Sequence, residues 1–177
     1  LGFGEQADTR VVDIEPDTLC MDPAAFEAAI TPKTKAVIPV HLFGSMADMD
    51  QIMSIARKHG LRVIEDCAHA HGGFWDGKHV GTIGDVGSFS FQQTKIMACG
   101  EGGACITNDL ELADVLGRLS HIGYARGAKQ GERGTPPPMG LICENFRVTD
   151  FQALILLSQL EQLQENTRKR EEGAEFI

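Results

Sequence analysis

Two side chains that can do chemistry together stand near the middle of the sequence, Lys95 and Asp66. Lys95 lies between a short apolar run and a glycine-rich turn at 100–103, and the residues just after it, 96–99, are Ile-Met-Ala-Cys. A lysine held against apolar surface has its charged form disfavoured, and a neutral lysine amine is a nucleophile toward carbonyl groups. Asp66 ends another apolar run, so a carboxylate and a reactive amine are predicted at one site.

A nucleophilic lysine and a buried carboxylate are what pyridoxal 5′-phosphate requires of a protein. The lysine forms a Schiff base with the cofactor, and the carboxylate keeps the pyridine nitrogen protonated so that the ring accepts electrons. Asp66 ends a predicted strand, where open α/β sheets place ligands, while Glu65 should point to the opposite face. The alternative is that Asp66 caps the following segment at 67–70, and its position alone favours neither interpretation.

Three further polar residues accompany this pair. His69 follows Asp66 closely and can hydrogen-bond a phenolic oxygen of the same ligand, although a lone histidine is more often structural. The nearby His71 has no comparable argument. Ser90 precedes Lys95 on a predicted strand, where its hydroxyl can join backbone amides in binding a phosphate. An ordinary polar strand residue is the simpler alternative for Ser90.

Asn145 and Arg147 stand between a long loop and a helix. Amide and guanidinium groups suit anion binding, although loop structure alone would explain both. The loop before them, 127–140, is long and irregular, as functional or mobile loops often are. The glycines at 100–103 do not form a P-loop, because the lysine precedes them; they predict a tight turn that positions Lys95.

Alternating strands and helices must position these side chains. Asp22 followed by Pro23 predicts a helix start, Gly60 predicts a helix end, and Asp109 and Thr149 cap two further helices. Strands alternating with helices of this length indicate an α/β fold with a largely parallel sheet. The predicted strands are 11–14, 36–42, 61–67, 86–91 and 103–107, and the predicted helices are 23–30, 47–59, 110–119 and one that begins after Thr149.

The composition limits the classes of protein. The 177 residues are 42% hydrophobic and 23% charged, as in a soluble globular domain. A net charge of −9 argues against nucleic acid or an anionic membrane as a partner. The five cysteines contain no C-x-x-C pair, which predicts reduced thiols in a cytoplasmic protein and no zinc site. No signal peptide and no membrane-spanning run stand out.

The ends of the sequence predict an internal piece of a longer protein. The sequence begins at Leu1 rather than methionine. It stops at Ile177, inside a predicted helix.

Four ordered motifs resemble those of one known family. They are the segments 64–72 (Ile-Glu-Asp-Cys-Ala-His-Ala-His-Gly), 84–95 (Gly-Asp-Val-Gly-Ser-Phe-Ser-Phe-Gln-Gln-Thr-Lys), 100–103 (Gly-Glu-Gly-Gly) and 145–150 (Asn-Phe-Arg-Val-Thr-Asp). The chain closely resembles, over nearly its whole length, the DegT/StrS family of pyridoxal-phosphate sugar aminotransferases. The resemblance implies the type I aminotransferase fold, an α/β fold whose large domain has a mostly parallel sheet with flanking helices.

The resemblance also implies roles for the site residues. Lys95 matches the Schiff-base lysine, Asp66 the partner of the pyridinium nitrogen, and Ser90 the serine that binds the phosphate. His69 stands where the family often has glutamine beside the cofactor ring. Asn145 matches an asparagine that reaches the phosphate of the neighbouring subunit's cofactor, which implies a homodimer with shared active sites.

Some parts of the family's pattern have no counterpart in the sequence. They are an N-terminal segment, with its phosphate loop and an aromatic that stacks on the ring, and a small C-terminal domain. Residues 1–177 are therefore expected to form part of the large, cofactor-binding domain and to be inactive alone.

The substrate is predicted from a closer resemblance. The segments 39–50, 89–95 and 155–160 are most similar to glutamine:inosose aminotransferases, which aminate cyclitol ketones in aminoglycoside biosynthesis. The implied reaction moves an amino group from L-glutamine or L-glutamate to a keto-cyclitol or keto-sugar. The aminohydroxybenzoate synthases share two strings with the chain, and nucleotide-sugar aminotransferases stay open as alternatives.

Three other classes of protein are disfavoured. The family's pyridoxamine-dependent dehydratases have a histidine in place of the lysine, which Lys95 argues against. A non-catalytic sensor or scaffold would not need Asp66, Ser90 and Lys95 together. A Rossmann-type binding domain would carry G-x-G-x-x-G after its first strand, and the sequence has none there.

Overall fold

A computed structural model describes residues 8–125 and 142–175. The predicted loop at 127–140 lies outside the described residues. The helices within these ranges are α1 (Pro23–Ala29), α2 (Met49–His59), α3 (Leu110–Ser120) and α4 (Asp150–Glu175). The strands are β1 (Ala36–Val37), β2 (Arg62–Asp66), β3 (Phe74–Trp75), β4 (Lys78–His79), β5 (Val86–Ser90) and β6 (Gly103–Ile106).

Strands β1, β2, β5 and β6 form one sheet in that order. β2 pairs in parallel with both β1 and β5, and β6 runs antiparallel to β5 at the edge. This arrangement confirms the predicted α/β fold with a largely parallel sheet. Because β2 and β5 are parallel neighbours, their carboxyl ends meet at one edge of the sheet, where such sheets place ligands. β3 and β4 form a separate antiparallel ribbon.

The predicted strand at 36–42 is regular only over β1. Pro39 interrupts the ladder because it has no N–H to donate. The chain nevertheless stays beside β2, since the Asp66 N–H donates to the Pro39 carbonyl (2.9 Å) and the His41 N–H donates to the Asp66 carbonyl (3.0 Å). The segment is therefore part of the sheet, as predicted, but it is regular only over β1.

The predicted strand at 11–14 is wrong. Ile14 forms only an isolated antiparallel bridge with Met21. The turn between them is closed by hydrogen bonds of 2.9 Å, from the Glu15 N–H to the Cys20 carbonyl and from the Leu19 N–H to the Glu15 carbonyl. The segment therefore pairs with its own continuation rather than with the sheet.

The predicted helix caps are confirmed. The carboxylates of Asp22 and Asp109 accept hydrogen bonds from the first turns of α1 and α3. Gly60 ends α2 with φ 66°, a left-handed conformation that glycine adopts without strain. Ahead of α4, the Gln152 N–H donates to Thr149 Oγ1 (3.3 Å) and the Thr149 N–H donates to Gln152 Oε1 (2.9 Å). This reciprocal pair is a capping box.

The main core lies where α1 and α2 pack near β1 and β2. Ile52 and Ala56 lie on one face of α2 and are buried together with Val63 of β2. Burying each large apolar side chain contributes about 1.5–3 kcal/mol. The core residues are Cys20, Phe26, Val37, Ala47, Met49, Ile52, Ala56 and Val63, and a smaller cluster beyond β2 consists of Cys67, Ala70 and Val80.

Helix α4 carries an apolar stripe that the described residues leave largely exposed. Phe151 is 81% exposed and Leu154 is 64% exposed. Further along α4, Leu163 packs against Gly72 in the turn after β2. Among the described residues, no helix is both long and apolar enough to cross a membrane.

Candidate active site

The carboxyl ends of β2 and β5 place two predicted site residues on one face of the sheet. Asp66 is paired in register with Ser88 of β5, and the Cys67 N–H donates to the Ser88 carbonyl (2.8 Å). Side chains alternate along a strand, so Ser90 faces the same side as Ser88. Asp66 and Ser90 therefore share a face at the ligand-binding edge.

Asp66 is half-buried, and one of its oxygens is engaged. Oδ1 accepts the Ala68 N–H (3.0 Å), so the carboxylate does cap the segment that follows, although that segment is a turn and not a helix. Within residues 8–125 and 142–175, no hydrogen bond engages Oδ2 and no ion pair joins Asp66 to Lys95. One oxygen therefore stabilises the turn while the other stays available to a ligand.

Glu65 points to the opposite face, as predicted, and its carboxylate is fully engaged there. Oε1 accepts the Ile83 N–H (2.8 Å) and the Gly84 N–H (2.6 Å). Oε2 accepts the Gly81 N–H (2.7 Å) and lies 3.2 Å from His41 Nε2. Burial alone would raise the pKa of Glu65, but these hydrogen bonds favour the charged form and hold the pKa below its ordinary value.

His41 connects this carboxylate to the start of α2. Its Nδ1 accepts the Ala47 N–H (3.2 Å), so the proton on Nε2 is the one donated to Glu65. Sequence reasoning alone does not find this cluster. The sequence carries two signals for this cluster. One is an acidic residue, Glu65, inside an apolar strand. The other is the later segment 81–84, whose glycines allow backbone N–H groups to approach the Glu65 carboxylate closely.

His41, Glu65 and Cys67 bring three potential metal ligands within 4.8 Å of one another. The histidine and the carboxylate already hydrogen-bond each other. Burial raises the pKa of the Cys67 thiol to about 12, and the charges of Glu65 and Asp66 add to the rise. The described contacts of His41 and Glu65 in this cluster are hydrogen bonds within the protein core.

Lys95 lies in a loop whose base is closed by Phe91. The Phe91 N–H donates to the Gly102 carbonyl (2.8 Å), and the Phe91 carbonyl accepts the Cys99 N–H (2.9 Å). Within the loop, the Lys95 N–H donates to the Gln92 carbonyl (2.9 Å). The Lys95 side chain is half-buried, and no hydrogen bond or ion pair among the described residues engages its Nζ. The amine is therefore available to a ligand.

The predicted tight turn after the lysine loop is present. Gly100 and Gly102 have φ values of 93° and 152°, a region that side chains other than glycine rarely adopt. A Cβ at Gly102 would also lie 3.2 Å from Cys99 Sγ. Residues 96–98 are half-buried and Cys99 is 8% exposed, so the predicted burial of the residues that follow Lys95 is present as well.

Ser90 and His69 flank the same edge. Ser90 Oγ accepts the Gln92 N–H (3.4 Å) where the lysine loop begins. His69 is half-buried, and its Nδ1 is buried without a hydrogen-bond partner among the described residues. The ring of Phe43 lies 5.0 Å from that of His69. Phe43 was not anticipated; its only signal is the Phe-Gly pair after an apolar run.

Asn145 belongs to a different part of the chain, the segment that leads into α4. It is exposed and forms an isolated antiparallel bridge with His121. Its Oδ1 accepts the Arg147 N–H (3.4 Å), and the Arg147 guanidinium donates to His121 Nδ1 (2.7 Å). Among the described residues, no hydrogen bond joins Asn145 to the cluster around Lys95. Its role toward a neighbouring subunit stays a prediction.

The described residues form an α/β fold with a candidate site, centred on Lys95, at the carboxyl edge of the parallel strands. The site presents an amine, a carboxylate oxygen, a hydroxyl and an unpaired imidazole nitrogen, a set that suits a small ligand with carbonyl and anionic groups. The chain belongs to the DegT/DnrJ/EryC1/StrS aminotransferase family, whose profile matches residues 5–177.

Individual relatives agree with this assignment. The L-glutamine:2-deoxy-scyllo-inosose aminotransferase of Streptoalloteichus tenebrarius is 45% identical over 98% of this chain, which spans 42% of that relative. The crystal structure of 3-amino-5-hydroxybenzoic acid synthase is 36% identical with a TM-score of 0.81, over 91% of this chain and 41% of that one.

A third similar protein was solved with hydrated PLP (pyridoxal phosphate) bound. It is the GDP-4-keto-6-deoxy-D-mannose-3-dehydratase of E. coli, 27% identical with a TM-score of 0.81, over 93% of this chain and 45% of that one. The structural likenesses confirm that the described residues have a partial type I aminotransferase fold.

Proposed function

We propose that the full-length protein is a pyridoxal-phosphate-dependent aminotransferase that moves an amino group from L-glutamine to the keto group of a cyclitol. The observation that carries the proposal is the Lys95 amine, half-buried and without a partner among the described residues, at the same sheet edge as Asp66. The inosose aminotransferase of S. tenebrarius supports the donor and the acceptor class.

The functional groups of the side chains at this edge match the groups that pyridoxal phosphate presents. Lys95 offers an amine to the cofactor's aldehyde, Asp66 Oδ2 offers an acceptor to the protonated pyridine nitrogen, and the Ser90 hydroxyl offers a donor to the phosphate. The unpaired Nδ1 of His69 offers a hydrogen bond to the phenolic oxygen. When bound, the cofactor supplies an electron sink for the negative charge that develops on the substrate.

Lys95 and Asp66 have distinct roles in the proposed reaction. Lys95 holds the cofactor between turnovers, and its freed amine then takes the proton from the Cα of the amino donor. A positioned acid–base group of this kind contributes about 10²–10⁴-fold. Asp66 would hold the proton on the pyridine nitrogen, because an adjacent carboxylate favours the protonated form of a basic nitrogen.

A second candidate acceptor follows from the similarity to 3-amino-5-hydroxybenzoic acid synthase. That similarity favours an enzyme that acts on an aminohydroxybenzoate precursor with the same cofactor residues. An assay that compares a keto-cyclitol with such a precursor as acceptor distinguishes the two. The similarity to the E. coli dehydratase does not lead us to propose a dehydration reaction, because Lys95 provides the amine that transamination needs.

The assembly and location belong to the same proposal. Residues 1–177 form part of the large domain, which the 42% coverage of the S. tenebrarius relative supports. The protein is a homodimer in which Asn145 of the partner subunit reaches the cofactor phosphate. This is supported by the exposure of Asn145 and by the lack, among the described residues, of a hydrogen bond between it and the cluster around Lys95. The cytoplasm suits five free cysteines.

The decisive experiment changes Lys95 to alanine in the full-length protein. Removal of the amine abolishes covalent attachment of the cofactor, so borohydride reduction leaves no cofactor on the peptide that contains residue 95. Turnover with L-glutamine and a keto-cyclitol is expected to fall to background. Peptide mass spectrometry and an amine-transfer assay measure the two effects.

Lys169→Ala is the matched control. Lys169 is exposed on α4 and pairs with Glu165 (3.3 Å), so its loss should change neither attachment nor turnover. If the Lys95→Ala protein retained transaminase activity, the proposal would be wrong.

A further inference from the structure

The side chain of Gln152 joins the start of α4 to the lysine loop (residues 92–102). Its Nε2 donates a hydrogen bond to the Glu101 carbonyl (2.7 Å), across 51 positions of the chain. Glu101 lies between Gly100 and Gly102, in the turn that leads from the lysine loop into β6. The proposed reaction gives Gln152 no role.

The helix cap fixes the orientation of the Gln152 amide. Its Oε1 accepts the Thr149 N–H (2.9 Å) and the Thr149 hydroxyl (2.9 Å). A backbone N–H can only donate and a carbonyl can only accept, so Thr149 and Glu101 together determine which end of the amide carries the NH₂ group. The oxygen of the Gln152 side chain therefore serves the helix, and its nitrogen serves the loop.

The turn that Gln152 contacts is exposed and contains two glycines. Gly100 and Gly102 have φ values of 93° and 152°, and glycine loses more conformational freedom on folding than any other residue. Residues 100–102 are exposed. Among the hydrogen bonds of the described residues, that of Gln152 is the one that reaches the lysine loop from outside residues 90–103. The turn thus depends on Gln152 for its attachment to α4.

Glu101 is connected to the base of the lysine loop. Its carbonyl also accepts the Cys99 thiol (3.3 Å). The Cys99 N–H donates to the Phe91 carbonyl (2.9 Å), and the Phe91 N–H donates to the carbonyl of Gly102, next to Glu101 (2.8 Å). A displacement of Glu101 would therefore disturb the hydrogen bonds that close the loop in which Lys95 lies.

We infer that Gln152 is a positioning residue that anchors the lysine loop to α4 and thereby fixes where the Lys95 amine lies. The effect on turnover rests on the proposed function, because the amine acts only in that reaction. Misplacing a reacting group by about 1 Å can reduce a rate about 10²-fold. Gln152 acts through the Glu101 carbonyl and not through contact with substrate or cofactor.

Gln152→Glu separates this role from helix capping. Glutamate keeps an oxygen that accepts the Thr149 N–H, and it is a usual partner of threonine in a capping box. The start of α4 should therefore stay formed, with little change in the unfolding midpoint. The carboxylate has no hydrogen to donate to the Glu101 carbonyl. Gln164→Glu makes the same chemical change at an exposed position of α4 and is the matched control.

The first test is amide hydrogen exchange, followed by mass spectrometry, on the cofactor-free full-length protein. In Gln152→Glu, peptides that carry the Phe91 and Cys99 N–H groups should exchange about twofold to tenfold faster than in the wild type, the effect of losing one hydrogen bond. Peptides from the first turns of α4, and the same loop peptides in Gln164→Glu, should exchange at the wild-type rate. Wild-type exchange of the loop peptides in Gln152→Glu overturns the inference.

The second test is turnover with L-glutamine and a keto-cyclitol. The kcat of Gln152→Glu should fall by about tenfold or more with little change in KM, because a displaced amine slows proton transfer without removing a contact to the substrate. Gln164→Glu should keep the wild-type kcat.

Two outcomes of the turnover test have different meanings. A wild-type kcat in Gln152→Glu shows that Gln152 only joins two segments, and overturns its positioning role. A wild type without transaminase activity overturns the proposed function instead, while hydrogen exchange still decides whether Gln152 holds the lysine loop.

Discussion

At the residue scale, two adjacent carboxylates at the end of β2 serve opposite purposes. Asp66 leaves one oxygen available at the ligand edge, whereas Glu65 accepts hydrogen bonds at both oxygens on the other face. Strand alternation alone separates them, since consecutive side chains point to opposite sides of a sheet. Glu65 is thus a structural residue that holds the segment 81–84 against β2.

Glu65→Gln tests this structural role. The amide keeps one acceptor but loses the charge and turns an NH₂ group toward backbone donors, so we expect a loss of about 3 kcal/mol in the free energy of unfolding. The hydrogen bonds of Glu65 depress its pKa below the ordinary 4.5. Its stabilisation is therefore complete above about pH 4.5 and declines as the pH falls through the lower, folded-state pKa.

The difference between wild type and Glu65→Gln should accordingly shrink below that pH, as measured by urea denaturation of the full-length protein. Glu161→Gln, at an exposed position on α4, is the control and should change stability by less than about 0.5 kcal/mol. A difference that stays constant down to pH 2 contradicts the assigned role.

At the element scale, the contact between β5 and the segment before it depends on glycine. Gly87 of β5 faces the Glu65 side of the sheet, because the two residues are register partners. A Cβ at Gly87 would overlap the backbone of Gly81, which donates to Glu65 Oε2 (2.7 Å). The close approach of β5 to this segment thus holds a backbone donor onto the carboxylate.

Gly87→Ala should push the segment 81–84 away from Glu65. Because the colliding atoms are backbone, we expect a loss of about 1–3 kcal/mol in the free energy of unfolding. Gly173→Ala is the matched control: nothing lies within 4 Å of a Cβ there, and alanine in a helix gains about 0.5–1 kcal/mol over glycine. Equal effects of both substitutions in chemical denaturation would rule out the close approach as the cause.

At the scale of the whole molecule, the described residues expose apolar side chains that a folded protein usually covers. The apolar stripe of α4 is exposed, with Phe151 and Leu154 more than half accessible. Asn145 is exposed as well. Soluble proteins rarely leave such stripes uncovered. The chain spans 42% of the S. tenebrarius relative. In the proposed full-length dimer, segments outside residues 1–177 or the second subunit would cover this surface.

Mixed dimers test the proposed shared site. On this proposal, homodimers of Lys95→Ala subunits and homodimers of Asn145→Ala subunits are each expected to be inactive or weak. If each site combines Lys95 with Asn145 of the partner subunit, a mixed dimer contains one site with both substitutions and one intact site. We then expect up to about half of the wild-type activity per mixed dimer.

Unfolding and refolding the two variants together, followed by separation of differently tagged subunits, yields the mixed dimer for a turnover assay. The same procedure applied to Lys95→Ala alone is the control and should recover no activity. Mixed dimers without restored activity would place Asn145 in its own subunit's site.

The sequence by itself predicted the order of the elements, and it predicted Lys95, Asp66 and Ser90 as site residues. That prediction drew on residue type, on position at strand ends and beside a glycine turn, and on the resemblance to a known family. The caps at Asp22 and Gly60 were predicted from local sequence. The opposite orientation of Glu65 followed from strand alternation alone.

Only the tertiary structure decided which groups lack partners. The pairing of Glu65 with His41, the ring of Phe43 over His69, and the unpaired nitrogens of His71 all depend on segments that lie on different elements. The failed strand at 11–14 has the same cause, since the segment's pairing with Met21 is not visible in its own pattern. Burial and hydrogen-bond satisfaction are properties of the packed chain, so local sequence cannot specify them.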